Sequence, residues 1–228
     1  SPQAQLYTGP FSVTTTTLVK ARSYDPTHNV DTPSANPSAW DQSGAGIVDQ
    51  EMWSGLSTSA FTLESPPSIR ITEVNYHPRN PDADELAIDP SLDDNDFEFV
   101  EIKNIGSNPV NLVGTQFTNG ISFTFPNMIL NPGAFTLVVK DPGGFEARYG
   151  TGLNVAGVYS GSLSNGGERI VLLDALGAVI HDFQYDVSGA WPGRADGKGS
   201  SLEVRDVAGD YDNDNNWRPS QEYHGSPG

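Results

Sequence analysis

IRITEVNYHP at Ile69–Pro78 and DFEFVEIKNIG at Asp96–Gly106 decide how this chain folds. Both runs alternate β-branched or aromatic residues with polar ones, the period-2 signature of strands with one buried face. Each carries glutamate: Glu73 in the first, Glu98 and Glu101 in the second. Between them lies an insert of loop-formers and acids. From Asp82 to Glu101 there are nine Asp or Glu and no Lys or Arg. Such a density of negative charge is either exposed to water or gathered around a cation.

Working outward, further strands are expected at Val110–Leu112, Ile121–Phe125, Ala134–Val139, Arg169–Asp174, Val179–Tyr185 and Ser201–Arg205. Turn chemistry separates them, at Gly106–Pro109, Asn119-Gly120, Asn131-Pro132-Gly133 and Ala175-Leu176-Gly177, and Asn-Gly is a strong hairpin signal. One short helix is expected at Pro142–Tyr149, with Asp141 as cap, Pro142 in the first turn and Gly150 at the end. Short strands at this spacing imply an all-β chain whose main body is an immunoglobulin-like antiparallel β-sandwich with one short helix.

Ahead of that body stands a truncated β-rich segment, residues 1–64. It holds one strong strand, Phe11–Arg22, then an Asp, Pro, Ser and Gly-rich stretch anchored by Trp40 and Trp53, then a short strand at Ser59–Leu63. Residues 65–67, Ser-Pro-Pro, form the linker, because proline stiffens a connection and stops strand pairing. Residues 68–228 make the sandwich domain. The chain opens in SPQAQLY without a starting Met, as expected for part of a larger multidomain chain.

The bulk numbers narrow the function. A formal charge of −17 with only 12 Lys and Arg argues against nucleic acid, which needs clustered cations. No apolar run reaches the roughly 20 residues of a membrane helix, so membrane insertion is not expected. The absence of cysteine removes disulfides, thiolate zinc sites and thiol nucleophiles.

Residues 68–228 resemble the lamin tail domain family in its bacterial form. The likeness is carried by Ile71-Thr72-Glu73-Val74 with Tyr76 and Pro78, by Phe97–Asn104, and by Leu112-Val113-Gly114. It continues through the Leu130–Gly133 turn before Phe135–Val139, Gly166–Asp174, Asn216–Ser220 and Gly225–Gly228. Residues 5–64 resemble the last strands of a chitobiase-type C-terminal module, a fibronectin-III-like sandwich, through Tyr7, Gly9-Pro10, Thr17, Val19-Lys20-Ala21 and Phe61. The resemblance implies a non-catalytic accessory module of a large exported bacterial protein, outside the cell or on its surface.

Three chemistries merit structural scrutiny. Calcium could be bound by Asp93, Asp94 and Asp96 of the insert, joined by Glu73 if the strands bring it close, since calcium relieves crowded carboxylates. A second calcium candidate is Asp210, Asp212 and Asp214 in DYDND, although Asn215 stands where an EF-hand requires glycine. A sugar could stack on Trp191 beside Tyr185. The partner is then an unknown protein or a surface glycan. Glu98 and Glu101 differ in parity and face opposite sides of their strand, so they cannot form a catalytic carboxylate pair together, whereas Glu73 with one of them could. The histidines lack zinc spacing, and no serine lies in GxSxG.

Overall fold

The computed structural model describes residues 6–10, 17–23, 57–61 and 67–228. The chain divides into two compact units, Ser1–Glu64 and Ser65–Gly228. In the first, β1 (Thr17–Ala21) pairs antiparallel with β2 (Ser57–Phe61), Thr17 opposite Phe61. The beginning of the Phe11–Arg22 strand, the end of the Ser59–Leu63 strand, Trp40, Trp53, Ser65 and Pro66 lie outside the described residues.

The second unit begins with β3 (Ile69–Asn75), α1 (Ala83–Ile88), β4 (Phe99–Asn104) and β5 (Val110–Asn111). Then come β6 (Gln116–Asn119), β7 (Ile121–Thr124), β8 (Ile129–Leu130), β9 (Phe135–Val139) and α2 (Pro142–Tyr149). It closes with β10 (Val155–Val158), β11 (Ser160–Gly161), β12 (Glu168–Leu173), β13 (Val179–Tyr185), β14 (Leu202–Val204) and β15 (Trp217–Pro219). One sheet has the order β10-β9-β4-β3-β14-β15, the other β11-β7-β6-β12-β13, with β5-β8 as a small side ribbon. The unit is an all-β sandwich, as the alternation predicts. β10 nevertheless joins β9 in parallel, because α2 carries the chain across between them and a crossover returns the strand in the same direction.

The core lies between the sheets. Ile71, Val74, Val100, Ile102 and Val138 from the first meet Phe117, Ile121, Ile170, Leu172 and Phe183 from the second, all at most 2% exposed. Each such side chain contributes about 1.5–3 kcal/mol on burial. A bulge between Ile71 and Glu73 breaks the alternation of β3. An extra residue in one strand reverses which face the following residues occupy. Val74 and Tyr76 therefore enter the core, while Glu73 turns to the outer face of the six-stranded sheet.

That outer face has its own apolar cluster, Phe99, Leu137, Val139 and Phe145, with Tyr149 and Leu153 at its margin. It seats α2, whose limits match the expected helix. The Asp141 carboxylate accepts from Gly144 N at 2.7 Å, and Gly150 closes the helix with φ 77°. The acidic insert is ordered too, contrary to its reading as a loop. Asp82 and Glu85 form a capping box on α1, and Asp93 and Asp96 form another on a 3-10 turn at Asp94–Phe97. These acids satisfy the backbone donors that each helix start leaves free.

Candidate functional site

Strand register places four charged residues in one row across the outer face. Glu101 of β4 stands opposite Glu73 of β3, Glu73 opposite Glu203 of β14, and Glu203 opposite Arg218 of β15. An open groove of about 760 Å³ lies over this rung, with Thr72, Lys103, Phe135 and Gln221 among its walls. Lys103 Nζ sits 4.3 Å from the centre of the Phe135 ring, a cation–π contact.

The C-terminal segment crosses the rung and supplies donors. Glu73 accepts from Ser201 Oγ and from Ser226 N at 2.8 Å, and its Oε2 lies 3.0 Å from Ser226 Oγ. Glu101 accepts from Thr72 Oγ1 at 2.5 Å and Gly228 N at 2.7 Å. Glu203 accepts from Ser226 Oγ at 2.6 Å and Arg218 Nε at 2.7 Å. Among the described residues no Lys or Arg is salt-bridged to Glu73 or Glu101.

Glu73 is 2% and Glu101 3% exposed. Burial pushes the Glu73 carboxyl up to about 7; hydrogen bonds from Ser201 and Ser226 oppose this, and the neighbouring Glu101 charge adds to it. Glu101 is raised as well, first by burial, against the bonds from Thr72 and Gly228. Glu98 points to the opposite face, as parity requires. It is fully buried, accepts from Tyr159 Oη at 2.6 Å and Leu163 N at 2.9 Å, and is pushed by burial to about 7.

The expected calcium ligands do not converge. Asp93 Oδ1 accepts from Asn95 N, Asp96 Oδ2 accepts from Asp93 N, and Asp94 faces His77 at 3.6 Å. Glu73 belongs to the rung instead. In the second candidate, Asp210 accepts from Asp212 N, Asp212 from Gln184 N and Asp214 from Ala190 N. Among the described residues no group of three or more His, Cys, Asp or Glu could hold a metal ion.

The sugar platform also changes. Tyr185 is fully buried, and its hydroxyl donates to Ser164 O at 2.8 Å, so it offers no ring face to a ligand. Alternation in β13 turned it into the core. Trp191 is half-buried against the core, its ring 6.0 Å from that of Trp217. Sequence reasoning missed Thr72, Ser201, Glu203 and Ser226. The row of glutamates was detectable only by aligning β14 with β3, and nothing in a three-residue strand fixes that register.

The family model of the lamin tail domain matches residues 62–186, more than half of the chain. The chain belongs to the lamin tail domain family. No curated protein and no solved structure matches it. The lamin tail domain is an immunoglobulin-like module, and the family is generally non-catalytic. The match begins at residue 62, so the likeness of residues 5–64 to a chitobiase-type module remains an expectation.

Proposed function

We propose that this lamin tail domain serves as a non-catalytic structural and interaction module of a larger exported bacterial protein. One observation carries the reading: its buried carboxylates are bonded by donors from distant parts of its own chain. Glu73 ties β3 to Ser201 and Ser226, Glu101 ties β4 to Thr72 and Gly228, and Glu98 ties the start of β4 to Tyr159 and Leu163. A catalytic acid or base must reach a substrate atom, whereas these oxygens fasten segments together. The insert is held by its own caps and by Arg148.

The test is replacement of residues 65–228 in the parent protein by a Gly/Ser linker of equal reach. The expected result is loss of binding to the protein's surface partner, with the specific activity of neighbouring domains unchanged. Turnover of a glycan, ester or peptide by the 228-residue chain, abolished in Glu73→Gln or Glu101→Gln, would overturn the reading.

A further inference from the structure

Ser226 Oγ lies 3.0 Å from Glu73 Oε2 and 2.6 Å from Glu203 Oε1. A hydroxyl has one proton to donate, so it can satisfy only one of two ionised carboxylates. Were both ionised, the second contact would set lone pair against lone pair beside the buried Glu73. Glu203 is already paired with Arg218 at 2.7 Å, so the Ser226 proton belongs to Glu203. The other contact then needs a proton on Glu73 Oε2. The Oε1 atom of Glu73 is occupied by donors, Ser201 Oγ and Ser226 N, which leaves Oε2 to carry it.

The surrounding charges agree. Glu73 is faced by Glu101 and Lys103 of β4, Glu203 of β14, Arg218 of β15, Tyr149 of α2, and Glu222 at the rim. Lys103 is held on the Phe135 ring and Arg218 on Glu203. The partner directly across from Glu73 is another carboxylate, Glu101, and like charges opposite one another destabilise a sheet. Burial in this setting moves the Glu73 carboxyl up to about 7. Gly225 lets the backbone come this close, with φ 104°; a Cβ there would stand 2.8 Å from Glu73 Oε1.

We propose that seating of Gly225–Gly228 on the rung takes up one proton, held by Glu73 Oε2 and donated to Ser226 Oγ, which in turn donates to Glu203. The carboxyl, hydroxyl and carboxylate form a latch that is tight in mildly acidic medium and loosens as the proton leaves. Once the segment lifts, water reaches Glu73 and its carboxyl ionises at an ordinary pH, so closure is linked to proton uptake.

Hydrogen exchange of the full 228-residue chain, read by mass spectrometry and corrected for intrinsic rates, tests this. Protection of the Ser226 and Gly228 amides should fall by up to about tenfold per pH unit between about 5 and 7. A β12 peptide serves as the control for global unfolding and should stay protected. In Glu73→Gln the side-chain amide donates to Ser226 as the carboxyl does, so segment protection should remain at its acid level throughout. In Glu203→Gln the side-chain amide can donate to Ser226, whose hydroxyl then turns to ionised Glu73, and the midpoint should move to lower pH. Segment protection independent of pH in the wild type, an unchanged profile in Glu73→Gln, or an unmoved midpoint in Glu203→Gln would overturn the proposal.

Discussion

The imidazole of His181, on β13, accepts the amide proton of Ile71, on β3, at 3.2 Å across the two sheets. Tyr211 Oη donates to Ile71 O at 2.8 Å, so both polar groups of Ile71 are bonded by side chains. On β3, β14 pairs only with Glu73 and Val74, and the His181 and Tyr211 side chains complete the bonding where the short strand stops. Buried backbone groups need such partners. His181→Ala should therefore cost about 2–4 kcal/mol, combining an unpaired N–H with a cavity. Urea unfolding at pH 7 measures it; a loss under 0.5 kcal/mol would mean the imidazole is replaceable.

Stability should peak near pH 5. Burial, with a smaller contribution from Arg70, depresses His181 to about 3, below its unfolded value of 6.5. The folded state therefore binds fewer protons, and stability is lost as pH falls from about 6.5 toward 3. Glu73 and Glu98 are raised from 4.5 to about 7, so there the folded state binds more protons and stability is lost as pH rises from about 4.5 to 7. Thermal melts across pH 3–9 should give a maximum with two falling limbs. Glu98→Gln should make the neutral limb shallower, leaving the part due to Glu73, and leave the acid limb intact; a curve that climbs steadily to pH 8 would contradict these assignments.

Removing Arg148 should release the insert. Its guanidinium lies 3.3 Å from the centre of the Phe97 ring and bonds Glu85 at 2.8 and 3.0 Å, with no side-chain exposure. Burial disfavours the Glu85 charge, yet the bonds from Arg148 and Asp82 N hold its carboxyl below the usual range. Breaking one partner of a buried pair costs about 3–5 kcal/mol. Arg148→Ala should lower the melting temperature and speed amide exchange across residues 83–97 before the rest of the sandwich.

Gly144→Ala should destabilise although alanine favours helices. A Cβ at position 144 would meet Asp96 Cβ and O at 2.8 Å. The overlap costs about 1–3 kcal/mol, more than the roughly 1 kcal/mol gained from helix propensity. A variant that melts higher than the wild type would show that the turn at Asp96 can move aside.

Calcium at millimolar concentration, or a chelator, should leave the melting temperature within about 1 °C, since a ligand stabilises only through a site in the folded state. A rise of several degrees, abolished in Asp93→Ala, would restore the calcium loop.

The sandwich was legible because its long strands carry period-2 patterns strong enough to read one at a time. α2 was legible through Asp141, Pro142 and Gly150, three residues whose local chemistry fixes both ends. α1 was not, because its six residues are too few to show a helical period and the acids at its start suit a loop equally well. Their role as caps emerges only when Arg148 is brought alongside Glu85 from 63 residues away. β6, β8, β10, β11 and β15 are two to four residues long, too short for a pattern. The glutamate rung was hidden for a different reason. One bulge in β3 decides the face on which Glu73 emerges, and a bulge leaves no mark in the residue types around it.

β14 lies between β3 and β15, although Ser201 at its threshold and Glu73 are 128 residues apart in sequence. During synthesis, then, the first strand of the sandwich waits beside an open edge until nearly the whole domain has left the ribosome. Closing so long a loop is slow compared with forming local hairpins. Glu73 and Glu101 lie along that edge, and charged side chains at an open edge disfavour pairing with another chain.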